Sequence, residues 1–154
     1  MAYKGRFRPV NPAKYKGDPT KIIYRSWWER TVFSWVDKHK DVIWWQSEEL
    51  IVPYRSPIDN RIPRYSPAVI VHKRNPGTGK NETIMIEIKP SSQCVPPDPK
   101  KKNATKTGRI SRRYLNEVKT WGINEAKWKA ARSYCLDRGW QFVIMTEKHI
   151  PGAK

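Results

Sequence analysis

Two apolar runs in the second half of the chain constrain its fold more than any other feature. Residues 83–89, "TIMIEIK", and residues 140–147, "WQFVIMTE", each read as a buried strand. A helical pattern stands directly before the second run. Asn124, Trp128, Ala131 and Cys135 follow helical spacing, Asn124 can cap and Gly139 supplies the stop, which predicts a helix over 124–138. Strand, crossover helix and strand in that order form a parallel pair with a right-handed connection. The chain is therefore expected to be α/β. Its 154 residues suffice for one domain of that kind and are too few for two.

The remaining elements are read around that pair. "SWWERTVFSWVDKH", residues 26–39, predicts a first helix with Trp28, Val32, Trp35 and Val36 on one apolar stripe. Ser26 is the expected N-cap, with Glu29 three residues on as in a capping box. The runs Glu49–Tyr54 and Arg64–Val71 flank a turn-forming stretch containing Pro57, Asp59, Asn60 and Pro63, which reads as a hairpin with a broad loop. "NPGTGKNE" is the next turn, and Thr83–Lys89 adds a third strand to an antiparallel meander. The expected architecture is a mixed central sheet of about four strands flanked by helices. Trp28, Trp35 and Trp128 are assigned to the core by their helical positions. Trp44 and Trp45 cannot both face inward in an extended chain, so one is expected to face a partner.

Outside this core, residues 1–20 carry Pro9, Pro12 and Pro19 without periodicity. They read as a basic extended arm, either lying across the domain or awaiting a partner, ahead of a single domain over 21–154. A basic loop is expected at about 90–118. Between Lys100 and Arg113 it holds seven basic residues and no acid: Lys100, Lys101, Lys102, Lys106, Arg109, Arg112 and Arg113. The whole chain has 31 Lys+Arg against 14 Asp+Glu, a net charge of +17. A charge that large is usually tolerated because a polyanion neutralises it, so nucleic acid is the leading partner. Arg25, Arg64 and the seven residues of the loop are the candidate phosphate contacts.

Other classes are less well supported. No apolar run of ~18 residues would span a bilayer, and the basic N-terminus lacks the apolar segment of a secretory signal. Cys94 and Cys135 have no metal-type spacing and are expected to be reduced. His39, His72 and His149 are scattered, and an RNA-binding aromatic signature is missing.

Chemistry enters at Glu87-Ile88-Lys89. Residues two apart in a strand share a face, so the carboxylate and the ammonium point the same way while Ile88 turns into the core. A carboxylate beside a lysine suits metal-assisted phosphodiester cleavage: the acid holds Mg²⁺ and the lysine orients or stabilises the nucleophile. Alone, the tripeptide reads as an exposed strand end, and Glu29 alone reads as a cap. Their order is more specific. A helix with Glu29, a strand with Pro67 and a following position, a strand with Glu87 and Lys89, then helix and strand, resembles the PD-(D/E)XK nuclease core. "YKGDPTKIIYRSWWE", "SEELIVPYRSPIDNRIPRYSP", "IEIKP" and "NEVKTWGINEAKWKAARSYCLDRGWQFVIMTE" carry a closer resemblance over almost the whole chain. It is to TnsA-like endonucleases and, within them, to the head-completion nucleases of T4-like tailed phages.

The resemblance implies that Glu29 orients the attacking water and that Glu87, with the Ile88 carbonyl, ligates Mg²⁺ or Mn²⁺. It implies that Lys89 is the catalytic lysine. One position departs from the family pattern. Where the family has Pro-Asp-Phe or similar, this chain has Pro67-Ala68-Val69, so the metal-binding aspartate is replaced by Ala68. Three accounts stand side by side: a deliberate inactivating substitution, a degenerate member that only binds DNA, or compensation by Asp59 or Glu49. Two functions follow. One is a Mg²⁺-dependent endonuclease trimming duplex DNA at the end of packaging, catalytically dead at Ala68. The other is a non-catalytic DNA-binding structural protein of the virion head or portal. Either implies head or portal proteins as partners, no membrane, and residence in the host cytoplasm during assembly or in the virion.

Overall fold

The computed structural model describes residues 4–103 and 105–152. Met1–Tyr3, at the head of the expected arm, and Ala104, in the basic loop, lie outside the described residues. Strand β1 (Gly5–Arg6) pairs antiparallel with β2 (Ile23–Tyr24), and α1 follows over Trp27–Lys38. Next come β3 (Val42–Gln46), β4 (Val52–Pro53), β5 (Arg64–Tyr65), β6 (Val69–Arg74) and β7 (Asn81–Ile88). Helix α2 (Arg112–Arg138) and β8 (Gln141–Met145) complete the chain. The central sheet has four strands in the order β3-β6-β7-β8. Its first three strands are antiparallel neighbours, and β8 lies parallel to β7 with Glu87 opposite Ile144 and Ile88 opposite Met145. The expected mixed four-strand sheet with flanking helices is the fold observed.

The meander is made of other strands than those expected. The run Glu49–Tyr54 does not enter the central sheet. Val52 and Pro53 pair with Tyr65 and Arg64 in a separate two-stranded sheet, and the chain enters the central sheet only at Val69. The place beside β6 is taken by β3, which carries the Trp44-Trp45 pair. Pro67 has no N–H for a ladder bond, and it separates β5 from β6. Trp45 is wholly buried. Trp44 turns to the other face, where His72 stacks on it at 5.5 Å and the Lys16 ammonium sits 4.3 Å from its ring centroid. The face expected to meet a partner is thus covered from within.

The sheet separates two apolar layers. On one side, Val69, Val71, Ile86 and Ile88 pack with Val32, Phe33 and Val36 of α1. On the other, Ile70 and Met85 pack with Ala131 and Cys135 of α2 and with Val52, Tyr54 and Tyr65. In α1 the buried positions are Val32, Phe33, Val36 and Asp37, so the inward stripe is rotated from the one expected. Trp35, assigned to the core by spacing alone, is 53% exposed and rests against His39.

The N-terminal segment lies across the domain and belongs to its core. Phe7 makes edge contacts with Phe33 and Trp45, and Tyr15 with Trp45. Asp37, fully buried, accepts hydrogen bonds from the Val10 and Asn11 N–H groups at 2.7 and 3.2 Å and from Trp45 Nε1 at 3.4 Å. A buried carboxylate is tolerable when donors surround it in this way. The proline-rich composition that suggested an arm instead sets the turns between these anchors.

Helix α2 corrects the sequence reading most. It begins at Arg112 and not near Asn124, so the basic loop ends at Ser111, short of the expected boundary at about 118. Ser111 caps it by accepting from the Tyr114 N–H, and Gly139, in the left-handed region at φ 71°, ends it as expected. Asn124 is a buried residue in mid-helix, not a cap. The first half of α2 carries Tyr114, Val118 and Trp121 at helical spacing, but it buries little, with Leu115 and Val118 exposed. Ser111→Ala should cost about 1 kcal/mol in urea unfolding, since an N-cap contributes about that much. A helix starting at 124 would leave this variant unchanged. Among the described residues no helix is long and apolar enough to cross a membrane.

Candidate functional site

The C-terminal end of β7 and the N-terminal turn of α1 meet at one end of the sheet. Glu87 and Met85 project to the α2 face, and Ile88 packs on the α1 side, as strand alternation requires. Glu87 was expected at an exposed strand end, but it is buried. Its carboxylate accepts the Tyr65 hydroxyl proton at Oε2 and the Ile88 N–H at 3.0 Å at Oε1. Burial first, and the Glu87 charge second, push the Tyr65 phenol far up, so it remains a donor. Lys89 follows, half-buried, with its own N–H bonded to the Met145 carbonyl at 3.0 Å. This bond ties the lysine to β8.

Glu29 fulfils its capping geometry in a shifted form. Its N–H donates to Ser26 Oγ at 3.1 Å, while its own carboxylate accepts from the Arg25 N–H at 2.9 Å, one residue before the cap. Burial pushes its pKa up, the Arg25 N–H opposes this, and the charges of Glu48 and Glu87 push it further up. Those couplings place Glu29 in electrostatic reach of Glu87. Glu48 adopts a left-handed φ of 57° just after β3 and pairs with the Arg25 guanidinium at 2.9 Å. Sequence reasoning passed over both Glu48 and Tyr65. A tyrosine three residues before position 68 was the available sign of the second.

The raised pKa of Glu29 has a testable consequence. A carboxyl whose folded pKa lies above its unfolded value costs stability when ionised. The cost is full above the folded pKa and vanishes below the ordinary carboxyl pKa of about 4.3. Glu29→Gln keeps an acceptor for Arg25 and loses the charge. Its urea-unfolding stability should exceed the parent's at neutral pH, and the gap should close as pH falls through the Glu29 titration.

Ala68 is 7% exposed and stands one residue before the Val69–Ile86 pair, at the step of the ladder where β7 carries Glu87. Alanine offers no oxygen there, and the side chain packs in the layer formed with α1. The acids considered as substitutes are engaged elsewhere. Asp59 accepts from the Arg61 N–H at 3.1 Å in its turn, and Glu49 accepts from the Tyr15 hydroxyl at 3.0 Å. Among the described residues no group of three or more His, Cys, Asp or Glu could hold a metal ion. With Glu87 committed to Tyr65 and Ile88, the residues present do not fit a divalent cation.

The candidate phosphate contacts fall into two sets. Arg64 stands beside Tyr65 in β5, Arg25 lies between β2 and the cap of α1, and both are exposed, with Arg25 held by Glu48. Lys100, Lys101, Lys102, Lys106 and Arg109 lie exposed between β7 and α2, and Arg112 and Arg113 form the first turn of α2. Lys101, Arg112 and Arg113 share a groove of about 830 Å³ with Gln93, Trp121 and Asn124. The loop is folded on itself: Lys102 O accepts from the Ser111 N–H at 2.7 Å, and Asn103 Nδ2 reaches Gly108 O at 2.7 Å. A further clip, Glu147 accepting from the Ser91 N–H and hydroxyl, holds the segment after Lys89 against the end of β8.

The family model described as TnsA-like endonuclease N terminal matches residues 39–147. The head completion nuclease of Enterobacteria phage T4 is 41% identical over 147 residues, covering 96% of this chain and 93% of that protein.

Proposed function

We propose, for a chain that belongs to the TnsA-like endonuclease family, the function of a DNA endonuclease in phage head completion whose cutting chemistry requires a carboxylate at position 68. The observation that supports it is the convergence of Glu29, Glu87 and Lys89 at one end of the sheet, with buried Ala68 one residue before the Val69–Ile86 pair. Hydrolysis of a phosphodiester joins the oxygen of water to phosphorus and breaks one phosphorus–oxygen ester bond. One proton of the water passes to the departing sugar oxygen and the other leaves through a base. Glu29, half-buried and oriented by the Arg25 N–H, suits that base. Lys89, without an ion pair among the described residues, supplies positive charge to the phosphate. Magnesium or manganese would add acidity to the water and neutralise phosphate charge. It would need an acid at 68 together with Glu87 and the Ile88 carbonyl.

Duplex DNA is the partner suited to the basic segment between β7 and α2, and head or portal proteins are its proposed neighbours in the host cytoplasm during assembly and in the virion. The packing of Ala68 in the apolar layer favours one second reading, a DNA-binding structural protein of the head without catalysis. Nicking of duplex DNA by the Ala68→Asp chain with Mg²⁺, abolished by EDTA, separates the two. Binding is tested without cleavage. Affinity of the chain as it stands should fall steeply with salt, because phosphate contacts release counterions. Replacing Lys100, Lys101, Lys102 and Lys106 with Ala should flatten the log–log salt slope by about 3–4. An unchanged slope would remove this segment from the interface.

A further inference from the structure

Lys127 occupies a place where its neighbours are buried and apolar. Lys127, Ala131 and Cys135 stand at i, i+4 and i+8 on α2, and Ala131 and Cys135 are almost wholly buried against the sheet. Cys135 meets Met85, with the two sulfurs 3.8 Å apart. As the crossover between parallel β7 and β8, α2 runs opposite to both. One step toward the α2 N-terminus therefore corresponds to one step toward the β7 C-terminus, from Met85 toward Glu87 and Lys89. Lys127 borders the inward stripe of Asn124, Trp128, Ala131 and Cys135 where α2 is level with the C-terminal end of β7.

The contacts agree with that placement. The Lys127 ammonium lies 5.6 Å from the ring centroid of Tyr65 and 5.9 Å from that of Tyr54, and Tyr65 is the residue whose hydroxyl holds Glu87. Among the described residues neither Lys127 nor Lys89 has a carboxylate within ion-pair distance. Lys127 and Lys89 thus stand in electrostatic reach of one another, and the one carboxylate that acts on Lys127, Glu87, is already bonded to Tyr65 and to the Ile88 N–H. Like charges held close in a partly desolvated place favour an anion bound between them.

We propose that Lys127 is a second cationic contact for the phosphate engaged by Lys89. This rests on the nuclease reading for its choice of ligand, a DNA phosphodiester. The two ammonium groups approach from different elements, Lys89 from the strand end and Lys127 from the helix above it, and together they would clamp the non-bridging oxygens from two directions. The Lys127 ammonium lies over the rings of Tyr54 and Tyr65, so its charge is positioned before DNA arrives. Burial, and then the nearby Lys89 charge, hold the Lys127 pKa below its ordinary value, while Glu87 opposes this. A bound phosphate would relieve that strain on the charged form.

The test uses Lys127→Met, which keeps an apolar stem of similar length, and Lys127→Arg, which keeps the charge. In the chain as it stands, fluorescence anisotropy with a duplex oligonucleotide should show a salt slope flatter by about 0.9 for Lys127→Met and unchanged for Lys127→Arg. In the Ala68→Asp chain with saturating DNA and Mg²⁺, Lys127→Met should slow cleavage about a hundredfold, with Lys127→Arg recovering much of the rate. If Lys127→Met lowers the melting temperature and leaves both slope and rate unchanged, the residue merely covers the tyrosines and the proposal is overturned. If the Ala68→Asp parent cuts no DNA while Lys127→Met still flattens the slope, the nuclease reading fails and the phosphate contact stands.

Discussion

Ala68→Asp should give the chain a Mg²⁺-dependent cleavage of duplex DNA that the parent is expected to lack. The gain in cleavage rate should reach about a thousandfold or more, because a correctly held metal ion contributes several kcal/mol of transition-state stabilisation. The same substitution should leave a physical mark that needs no activity assay. Position 68 is buried, Glu87 stands at the same step of the ladder, and Glu29 lies within electrostatic reach of Glu87. A new carboxylate there is desolvated and meets like charge, so without divalent cations the variant should melt below the parent. Mg²⁺ or Mn²⁺ should then raise its melting temperature, while the parent shows little response, since a ligand stabilises only a state that binds it. A variant that melts identically with and without cation, and never nicks DNA, would assign the chain to the structural reading. Glu87→Ala in the Ala68→Asp background should remove the cleavage. It should also release the Tyr65 hydroxyl from its buried partner, so a loss of stability is expected alongside.

Phe7→Ala should destabilise the protein by about 3–5 kcal/mol in urea or thermal unfolding, the usual cost of truncating a buried phenylalanine. The ring is 8% exposed and lies between Phe33 and Trp45, with centroid distances of 5.7 and 5.8 Å. An arm outside the domain would lose less than about 0.5 kcal/mol, as surface substitutions do. The same argument extends to function. Phe33 and Trp45 belong to α1 and β3, and these are the elements that present Glu29 and lead into Glu48. Loosening the N-terminal segment should therefore lower activity in the Ala68→Asp chain.

Reading the sequence was most successful where one local rule acted alone. The parallel pair of β7 and β8 followed from two apolar runs and the helix before the second, and Gly139 stopped that helix because only a left-handed residue closes it there. Glu29, Glu87 and Lys89 were found by order and residue type, and the fold does bring Glu29 and Glu87 into electrostatic reach of each other. Reading failed where packing overruled the local pattern. Trp35 fits an apolar stripe drawn by spacing, yet Phe33 takes the inward place, because the N-terminal segment needed a partner for Phe7 on that side. The first three turns of α2 do carry Tyr114, Val118 and Trp121 at helical spacing, but Leu115 and Val118 stay exposed, and the reading passed over that stripe.

What the sequence determined by itself was therefore the parallel strand–helix–strand unit, the identity of the chemical groups, and the alanine at position 68. Each of these is written in residue type and spacing along one dimension. Tertiary structure alone decided the state of those groups. Glu87 became buried and bonded to Tyr65, a residue 22 positions away. Glu29 gained its raised pKa from burial and from Glu48 and Glu87. Lys127 was brought over Tyr65 by the direction in which α2 crosses the sheet. Desolvation and Coulomb forces act through space and fall off with distance there, so their balance exists only once the chain has closed on itself.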